Sequence, residues 1–171
     1  MPDANSNETV RTGGIRRAFD GRLLALDLGQ KRIGVAVSDE SWISVRPLPR
    51  LHRTNWKKLL RDVADLVREF DAKALVIGLP LNLDGTRGPA ALKAERLAHN
   101  FALSLKVPVY LQDERLTSRE AEENLRAAGH TVPELLSDID SESAAIILRD
   151  FIVGRQDRNF VPPLSEDASE G

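Results

Sequence analysis

The chain has 171 residues, which suits one domain at roughly 150 residues per domain, and its 42% of apolar residues excludes wholesale disorder. Its 24 Lys and Arg against 26 Asp and Glu give a net charge of −2, which excludes a generally basic nucleic-acid binder and leaves room only for a local basic face. There is no Cys for disulfides or thiolate chemistry, no apolar run approaches the roughly 18 residues that span a bilayer, and the N-terminus has no hydrophobic signal core, so we expect a cytoplasmic protein without membrane contact.

Two polar segments flank the part of the chain that can form a core. Residues 1–20 include Gly13-Gly14 and almost no large apolar side chain, and residues 155–171 include Pro162-Pro163 and a string of Ser, Asp and Glu. Such segments bury too little surface to offset their ordering entropy, so we expect two disordered tails. The folded domain is predicted at residues 21–154, which is long enough for one packed core.

Three apolar runs of strand length open this domain. Arg22–Leu28 and Arg32–Ser38 are separated by Gly29-Gln30-Lys31, which predicts an antiparallel hairpin. The third run, around Ile43–Leu51, is interrupted by two prolines, and this predicts a strand at the edge of the sheet.

Helical and extended patterns then alternate to the end of the domain. Apolar residues at helical spacing follow Thr54, a candidate N-cap, and predict a helix to about Phe70. The remaining elements, in chain order, are the strand Lys73–Leu79, a helix from Gly88-Pro89, the strand Val107–Gln112, a helix from the Thr117–Glu120 capping box to Gly129, and the helix Ser141–Val153 after a polar loop. This order predicts an α/β fold with a mixed five-stranded sheet, helices on both faces and the first strand in the middle.

Asp27 fits the scaffold least, because it interrupts the apolar run Leu24–Leu28. An ionised carboxylate that is buried without a partner is costly, so a core strand that carries one needs a reason. A purely structural interpretation places Asp27 at the end of the strand, where it pairs with Lys31 or Arg32 or accepts hydrogen bonds from backbone amides of the turn. We favour a metal-binding carboxylate at the carboxyl end of a central strand, where open α/β sheets place their sites.

Further acids lie at two other predicted element ends. Asp113 and Glu114 follow a strand, and Asp138 and Asp140 precede the last helix, where a single Asp is often only an N-cap. The carboxyl ends of adjacent parallel strands open onto one crevice, and a helix start packed there can add another carboxylate. Three or four oxygen ligands without His or Cys select Mg²⁺ or Mn²⁺, and two such ions can support phosphodiester cleavage.

The glycines of the first hairpin offer another interpretation. Gly29 suits a turn with positive φ or the close approach of a phosphate backbone. Together with Asp27 and Gly34 it also resembles the phosphate-binding hairpin of actin-like and sugar-kinase ATPases. An ATPase of that class needs two such domains, and this chain has the length for one, so we set that class aside.

Basic residues lie close in the sequence to the candidate acids. Lys31 and Arg32 are in the hairpin turn, Arg87 follows the loop Gly78–Thr86, and Arg115 follows the last strand. Turn chemistry alone also explains that loop, and most surface Lys and Arg are only solvated. We predict that Lys31, Arg32, Arg87 and Arg115 contact phosphates. Aromatic residues, at 5%, are too few for a base-stacking platform, so we expect recognition of backbone and shape.

Four blocks of sequence, in this order, resemble the YqgF/RuvX family. They are LDLGQKRIGVAVSD from Leu26, VIGLPLNLDGT from Val76, DERLTS from Asp113, and Asp140-Ser141 ahead of AAIIL. Any one block alone is weak, but together they cover the chain from about residue 21 to residue 153. The resemblance implies an RNase H-like fold of the resolvase type and a cytoplasmic nuclease that matures the 5′ end of pre-16S ribosomal RNA. An older proposal for the family is a Holliday-junction resolvase.

The same resemblance implies the site residues. Carried over position by position, the acidic triad falls on Asp27, Glu114 and Asp140, which would hold the metal ions and act in catalysis, with Asp113 as a neighbour. One position departs from the family's pattern, because a Lys usually lies two residues before the last Asp and here that residue is Asp138. The added negative charge either joins the metal site or weakens the affinity for the substrate.

These features together predict a Mg²⁺- or Mn²⁺-dependent nuclease that acts on structured RNA, with a ribosomal RNA precursor favoured. Two alternatives stay open: cleavage of branched DNA, and a non-catalytic nucleic-acid or transcription-associated module that keeps the fold. No element has the spacing of a specific 2′-hydroxyl reader, so the sequence does not separate RNA from DNA. It is compatible with a monomer and with a homodimer, and a junction resolvase would be expected to act as a dimer.

Overall fold

The computed structural model describes the backbone of residues 20–114, 127, 132–154 and 160–161, and the side chains of residues 20–114, 127 and 141–154. The predicted N-terminal tail lies outside the described residues, apart from its last residue. The predicted helix from Thr117 to Gly129 also lies outside them except at position 127, which is helical. The boundaries of the folded domain, at residues 21 and 154, stay predictions.

Three antiparallel strands form the first half of the sheet, as the sequence predicts. They are β1 (Leu23–Leu28), β2 (Arg32–Ser38) and β3 (Val45–His52). The first four residues of β1 are fully buried, since this strand has helices on both of its faces. β3 lies at the edge of the described sheet. Its two prolines, which lack an N–H, are tolerated there because no further described strand pairs with its outer side.

Two parallel strands extend the sheet on the other side of β1. β4 (Ala74–Leu79) pairs parallel with β1, and β5 (Val109–Asp113) pairs parallel with β4. A two-residue strand, β6 (Phe160–Val161), pairs antiparallel with β5 and gives the order β3-β2-β1-β4-β5-β6, with β1 in the interior as predicted. A sixth strand therefore joins the five expected ones, and it lies within residues 155–171, for which a disordered tail is predicted. Phe and Val are residue types that favour strands, and β5 would otherwise leave its edge unpaired.

Two helices cover one face of the sheet. α1 (Trp56–Glu69) follows Asn55, whose side-chain oxygen accepts a hydrogen bond from the Lys58 amide at 2.9 Å. The N-cap is therefore Asn55 and not the predicted Thr54, because the Asn55 side chain reaches the third residue of the helix. α2 (Pro89–Ser104) begins with the proline that the sequence places there. The two helices pack onto the strands through buried apolar side chains, among them Leu59, Val63, Ala98 and Phe101.

A third described helix, α3 (Val132–Val153), covers the opposite face. The predicted start at Ser141 is wrong, because the helix already includes Asp138 and Asp140, which therefore do not lie in a loop before it. Pro133 lies in the first turn, where a helix needs no N–H, so it does not prevent this earlier start. In the part of the chain that the structure describes, no helix is long and apolar enough to cross a membrane. The mixed sheet with helices on both faces confirms the predicted α/β architecture.

Candidate active site

The carboxyl groups of Asp27 and Glu114 meet above the carboxyl ends of the central strands. Asp27 is the fifth residue of β1, and Glu114 directly follows β5. These two strands are not neighbours, since β4 lies between them. The two side chains nevertheless share a hydrogen bond, so the structure brings together two of the three acids predicted for the site.

Gly78 of β4 leaves the space in which the two carboxyl groups meet. A Cβ atom at this position would lie 2.3 Å from Oε2 of Glu114 and 2.6 Å from Cδ1 of Ile147 in α3. Any side chain at position 78 would therefore displace the Glu114 carboxyl group or the helix above it. The sequence analysis missed this role. A glycine inside an apolar strand signals close approach of another group, but the sequence alone does not say which group approaches.

Glu114 holds a proton in the absence of a cation. Burial, the negative charge of Asp27 and the hydrogen bond with Asp27, in that order, raise the pKa of Glu114 from 4.5 to about 9, with a smaller contribution from Asp113. At neutral pH the two carboxyl groups therefore share one proton through their hydrogen bond. The pair carries one negative charge instead of two.

The alternation of side chains along the strands places the pair on the face that α3 covers. Leu23 and Ala25 of β1, like Tyr110 of β5, pack with α3, and positions 27 and 114 follow them in steps of two. Val109 and Leu111 pack on the face of α1 and α2, and Asp113 continues their series. Asp113 therefore belongs to the other face of the sheet, although its charge still acts on Glu114.

The third predicted acid, Asp140, lies in α3 directly before Ser141, and its side chain is outside the described set, as is that of Asp138. Ser141 is buried, and its hydroxyl donates a hydrogen bond to the Leu48 carbonyl of β3 at 2.7 Å and accepts one from the Val35 amide of β2 at 3.4 Å. This part of α3 is therefore tied to the β2–β3 pair. Among the described side chains, no group of three His, Cys, Asp or Glu residues comes together as a metal site.

The turn between β1 and β2 carries two of the predicted phosphate-binding residues. Lys31 and Arg32 are both exposed. Gly29 does not have the positive φ considered above. Its missing side chain instead allows a close contact within the chain, since a Cβ atom there would lie 2.5 Å from the Arg32 carbonyl oxygen. Arg53 supports the turn by donating from its guanidinium to the Gly29 carbonyl at 3.0 Å and from its amide to the Lys31 carbonyl at 2.9 Å.

Of the other two predicted phosphate-binding residues, Arg87 is among the described residues and Arg115 is not. Arg87 follows β4, and its Nε lies 2.9 Å from Oε1 of Glu95 in α2. The Arg87 side chain is 64% exposed, so this ion pair leaves part of the guanidinium accessible. Arg115 lies outside the described residues.

A surface cavity of about 470 Å³ lies at the opposite end of the sheet from the acids. Gly21 and Lys73, which precede β1 and β4, help to line it. Its charged side chains already have partners, since Lys73 Nζ lies 3.0 Å from the carboxylate of Asp71 and Arg22 lies 4.0 Å from that of Glu40. The cavity is therefore separate from the paired carboxyl groups.

The mixed sheet, its antiparallel hairpins followed by parallel strands, and the helices on both faces define an RNase H-like domain, as the resemblance implied. A family model described as RuvX, Holliday junction resolvase, matches residues 21–153, and the chain belongs to this family.

Similar proteins carry names of nucleases. A proposed pre-16S rRNA nuclease of Anaeromyxobacter sp. (strain K) is 42% identical over 131 residues, which are 77% of this chain and 96% of that protein. One of Chloroflexus aurantiacus (strain J-10-fl) is 37% identical over 151 residues, which are 86% of this chain and 99% of that protein. RuvC of T. thermophilus in complex with a Holliday junction substrate is 16% identical, with a TM-score of 0.49 over 82% of this chain and 99% of that one. The family model and the two sequence relatives make the chain a member of a nuclease family.

Proposed function

We propose that the chain is a divalent-metal-dependent nuclease that cleaves structured RNA, and that its substrate is the 5′ region of precursor 16S ribosomal RNA in the cytoplasm. The names of its relatives support this substrate. The observation that carries the proposed chemistry is the hydrogen-bonded pair of Asp27 and Glu114 at the carboxyl ends of β1 and β5.

The paired carboxyl groups have the donor set that a hard divalent cation requires. They offer oxygen atoms only. The proton on Glu114 neutralises one of the two adjacent carboxyl groups, as a bound cation would. A cation that binds both groups would displace this proton and remove the repulsion between them. Mg²⁺ and Mn²⁺ are the ions that such oxygen ligands select.

We assign the third carboxylate to Asp140. Position 140 lies four and eight residues before Ala144 and Leu148, and this is the spacing of one row along a helix. Both of these residues are buried against the α3 face of the sheet, on which the Asp27 and Glu114 pair also lies. The residue that departs from the family's pattern, Asp138, is two positions away and belongs to a different row.

The proposed roles of the side chains follow from this arrangement. When bound, the divalent cations would favour ionisation of a water molecule and stabilise the leaving oxygen of a phosphodiester. Asp27 and Asp140 would hold these ions, and Glu114 would complete their ligands and help to orient the attacking water. Lys31, Arg32, Arg87 and Arg115 contact phosphates of the substrate on either side of the bond that is cleaved.

A cleavage assay on a precursor 16S rRNA fragment, with Mg²⁺ or Mn²⁺, tests this proposal. We expect the wild type to cut the fragment and Asp27→Asn to bind it equally well or slightly more tightly without cutting, because a negative charge beside the phosphate is removed. A wild type that binds RNA and DNA but cuts neither would contradict the proposal and favour the non-catalytic module.

Cleavage of a four-way DNA junction is the second candidate function, because the matching family model is described as a Holliday junction resolvase. The same assay on a four-way DNA junction separates the two candidates. A preference of at least tenfold in kcat/KM for the junction over the RNA would favour the second. Symmetric cutting of a junction would also require two active sites, and therefore a homodimer.

A further inference from the structure

The loop between β4 and α2, residues 80–88, is held in a fixed shape by hydrogen bonds across it; we call it the β4–α2 loop. The Asp84 carboxylate accepts from the Thr86 amide at 2.9 Å and from its hydroxyl at 2.6 Å. The Asn82 side-chain amide donates to the same hydroxyl at 2.9 Å, and the Asn82 backbone amide donates to the Thr86 carbonyl at 2.9 Å. Gly85 completes the turn with a φ of 85°. Three neighbouring polar side chains are therefore used to fix the backbone.

This braced turn carries one large apolar side chain into solvent. Leu83 is 78% exposed and is flanked by Asn82 and Asp84, which form the cross-links. An exposed leucine is by itself common on protein surfaces, and at Leu83 the hydrogen bonds on either side also fix the backbone that carries the side chain. Holding Leu83 in solvent contributes nothing to the core, so its fixed position suits contact with another molecule.

The β4–α2 loop lies next to the paired carboxyl groups. The Leu79 carbonyl, at the end of β4, accepts from the Glu114 amide at 3.2 Å and from the Leu81 amide at 2.9 Å. Leu83 is four residues from Leu79, so the chain places it at most about 14 Å away. At about 3.4 Å per base-pair step, a nucleic acid cut at the carboxylates would present to Leu83 a base within about four steps of the cut.

We propose that Leu83 is an apolar wedge that inserts beside a nucleobase close to the cleaved phosphodiester and selects substrates whose bases unstack easily. This inference rests on the nuclease function proposed above. Apolar side chains that insert between base steps unstack them, and this costs least where a base is mismatched or unpaired. Arg87 lies in the same loop and pairs with Glu95, but its side chain is 64% exposed, so part of its guanidinium can still meet a phosphate of a nucleic acid. The wedge would let a chain with few aromatic residues recognise structure without a stacking platform.

Fluorescence of 2-aminopurine tests the wedge without cleavage. The base is placed one to four steps from the cut in the precursor rRNA fragment and in the four-way DNA junction, and each is bound to protein that carries Asp27→Asn. We expect a rise in fluorescence on binding, which reports unstacking, and we expect Leu83→Ala to abolish it. Leu103→Ala is the matched control, because Leu103 is 51% exposed at the other end of α2. It should leave the rise unchanged, and Leu83→Phe should retain it.

Cleavage by protein with an intact Asp27 gives a second readout. Leu83→Ala should lower the preference for the structured substrate over a perfectly paired duplex by about tenfold, the scale of one lost base contact. The wedge is wrong if Leu83→Ala keeps the fluorescence rise and a preference within twofold of wild type. A response in only the RNA or only the DNA arm identifies the nucleic acid that the wedge serves. A wild type that cuts neither substrate contradicts the proposed nuclease function. The fluorescence measurement does not depend on cleavage, so it still decides whether Leu83 acts as a wedge.

Discussion

A single proton links the two best-described acids of the site. Glu114 keeps this proton to a pKa of about 9 because burial and Asp27 both disfavour a second negative charge. In the metal-free protein, Asp27 and Glu114 therefore form a carboxyl pair that shares one proton, and the ionisation of each group depends on the other. The pH dependence of the protein's stability and of its cation affinity both follow from this coupling.

The metal-free protein should become less stable as the pH rises. Between pH 4.5 and about 9 the folded state holds the Glu114 proton and the unfolded state has lost it. The free energy of unfolding then falls with rising pH, because the folded state binds more protons. Urea denaturation at pH 5, 7 and 9 in the presence of a chelator measures this slope. Glu114→Gln should flatten it, whereas Glu69→Gln, on the exposed end of α1, should not; equal slopes for all three proteins would argue against the buried proton.

Binding of Mg²⁺ or Mn²⁺ should release about one proton near pH 7, because the cation replaces the proton on Glu114. Titration calorimetry in two buffers of different ionisation enthalpy measures the number of protons released. The same ions should raise the Tm, since they bind the folded form. Asp27→Asn should remove both effects. Cation binding without proton release would place the ion away from Glu114.

The sequence predicted Asp27 and Glu114 as site residues but not the glycine between them. An acid in an apolar strand is unusual by itself, so Asp27 could be recognised without any knowledge of its neighbours. The role of Gly78 depends on β4 lying between β1 and β5, and on the Glu114 side chain reaching across it. Asp140 was a candidate together with Asp138 from its position in the sequence and was preferred to Asp138 only through the resemblance, and its part in the site stays a prediction.

At the scale of the elements, β4 acts as a spacer between the two strands that carry acids. Its neighbours along the sheet lie about 4.8 Å away on each side, so the acid-bearing strands are roughly 10 Å apart. Side chains from both strands can bridge that distance only above a residue without a side chain. The position of Gly78 in β4 therefore fixes where the pair can form.

Gly78→Ala should disrupt the site by filling this space. The added methyl group would overlap Oε2 of Glu114 and Cδ1 of Ile147, which should cost about 1–3 kcal/mol of unfolding free energy and reduce kcat. Combining it with Glu114→Asp, which withdraws the carboxyl group by one methylene, should cost less than the sum of the two single changes. Urea denaturation of the four proteins measures this coupling. Strict additivity would mean that Gly78 does not accommodate Glu114.

The start of α3 shows why one element was predicted poorly. Ser and Asp residues before Ser141 are typical of caps and loops, and Pro133 is typical of a break. None of them excludes a helix by itself, because a proline in the first turn costs no hydrogen bond. Strands β1 and β2 were predicted well, since their apolar runs and the short hairpin between them left little choice of pairing. β6 has only two residues, which is too short for a periodic signal.

At the scale of the whole molecule, the net charge of −2 means that attraction to a polyanion must come from local groups. The turn between β1 and β2 is one such group, because Lys31 and Arg32 are exposed there. This turn directly follows the strand that carries Asp27, so its positive charge lies beside the candidate site.

Lys31→Ala should weaken nucleic-acid binding and reduce its dependence on salt. Each phosphate contact contributes about 0.7–0.9 to the slope of log affinity against log salt concentration, so the slope should fall by about this amount. Fluorescence anisotropy from about 50 to 200 mM salt measures it. Lys57→Ala, exposed on α1 on the other face of the sheet, is the control and should leave the slope unchanged. A similar loss from both variants would indicate a diffuse charge effect and no specific contact.

The hydroxyl of Ser141 joins partners that are 106 and 93 residues away along the chain, at Val35 and Leu48. Neither hydrogen bond can form until the chain has been synthesised as far as α3. During translation the strand that carries Asp27 leaves the ribosome long before α3 has been made. If Asp140 supplies the third carboxylate as proposed, a nascent chain cannot cut RNA until almost the whole domain has emerged. The order of synthesis would then protect the ribosome that makes this nuclease from the unfinished enzyme.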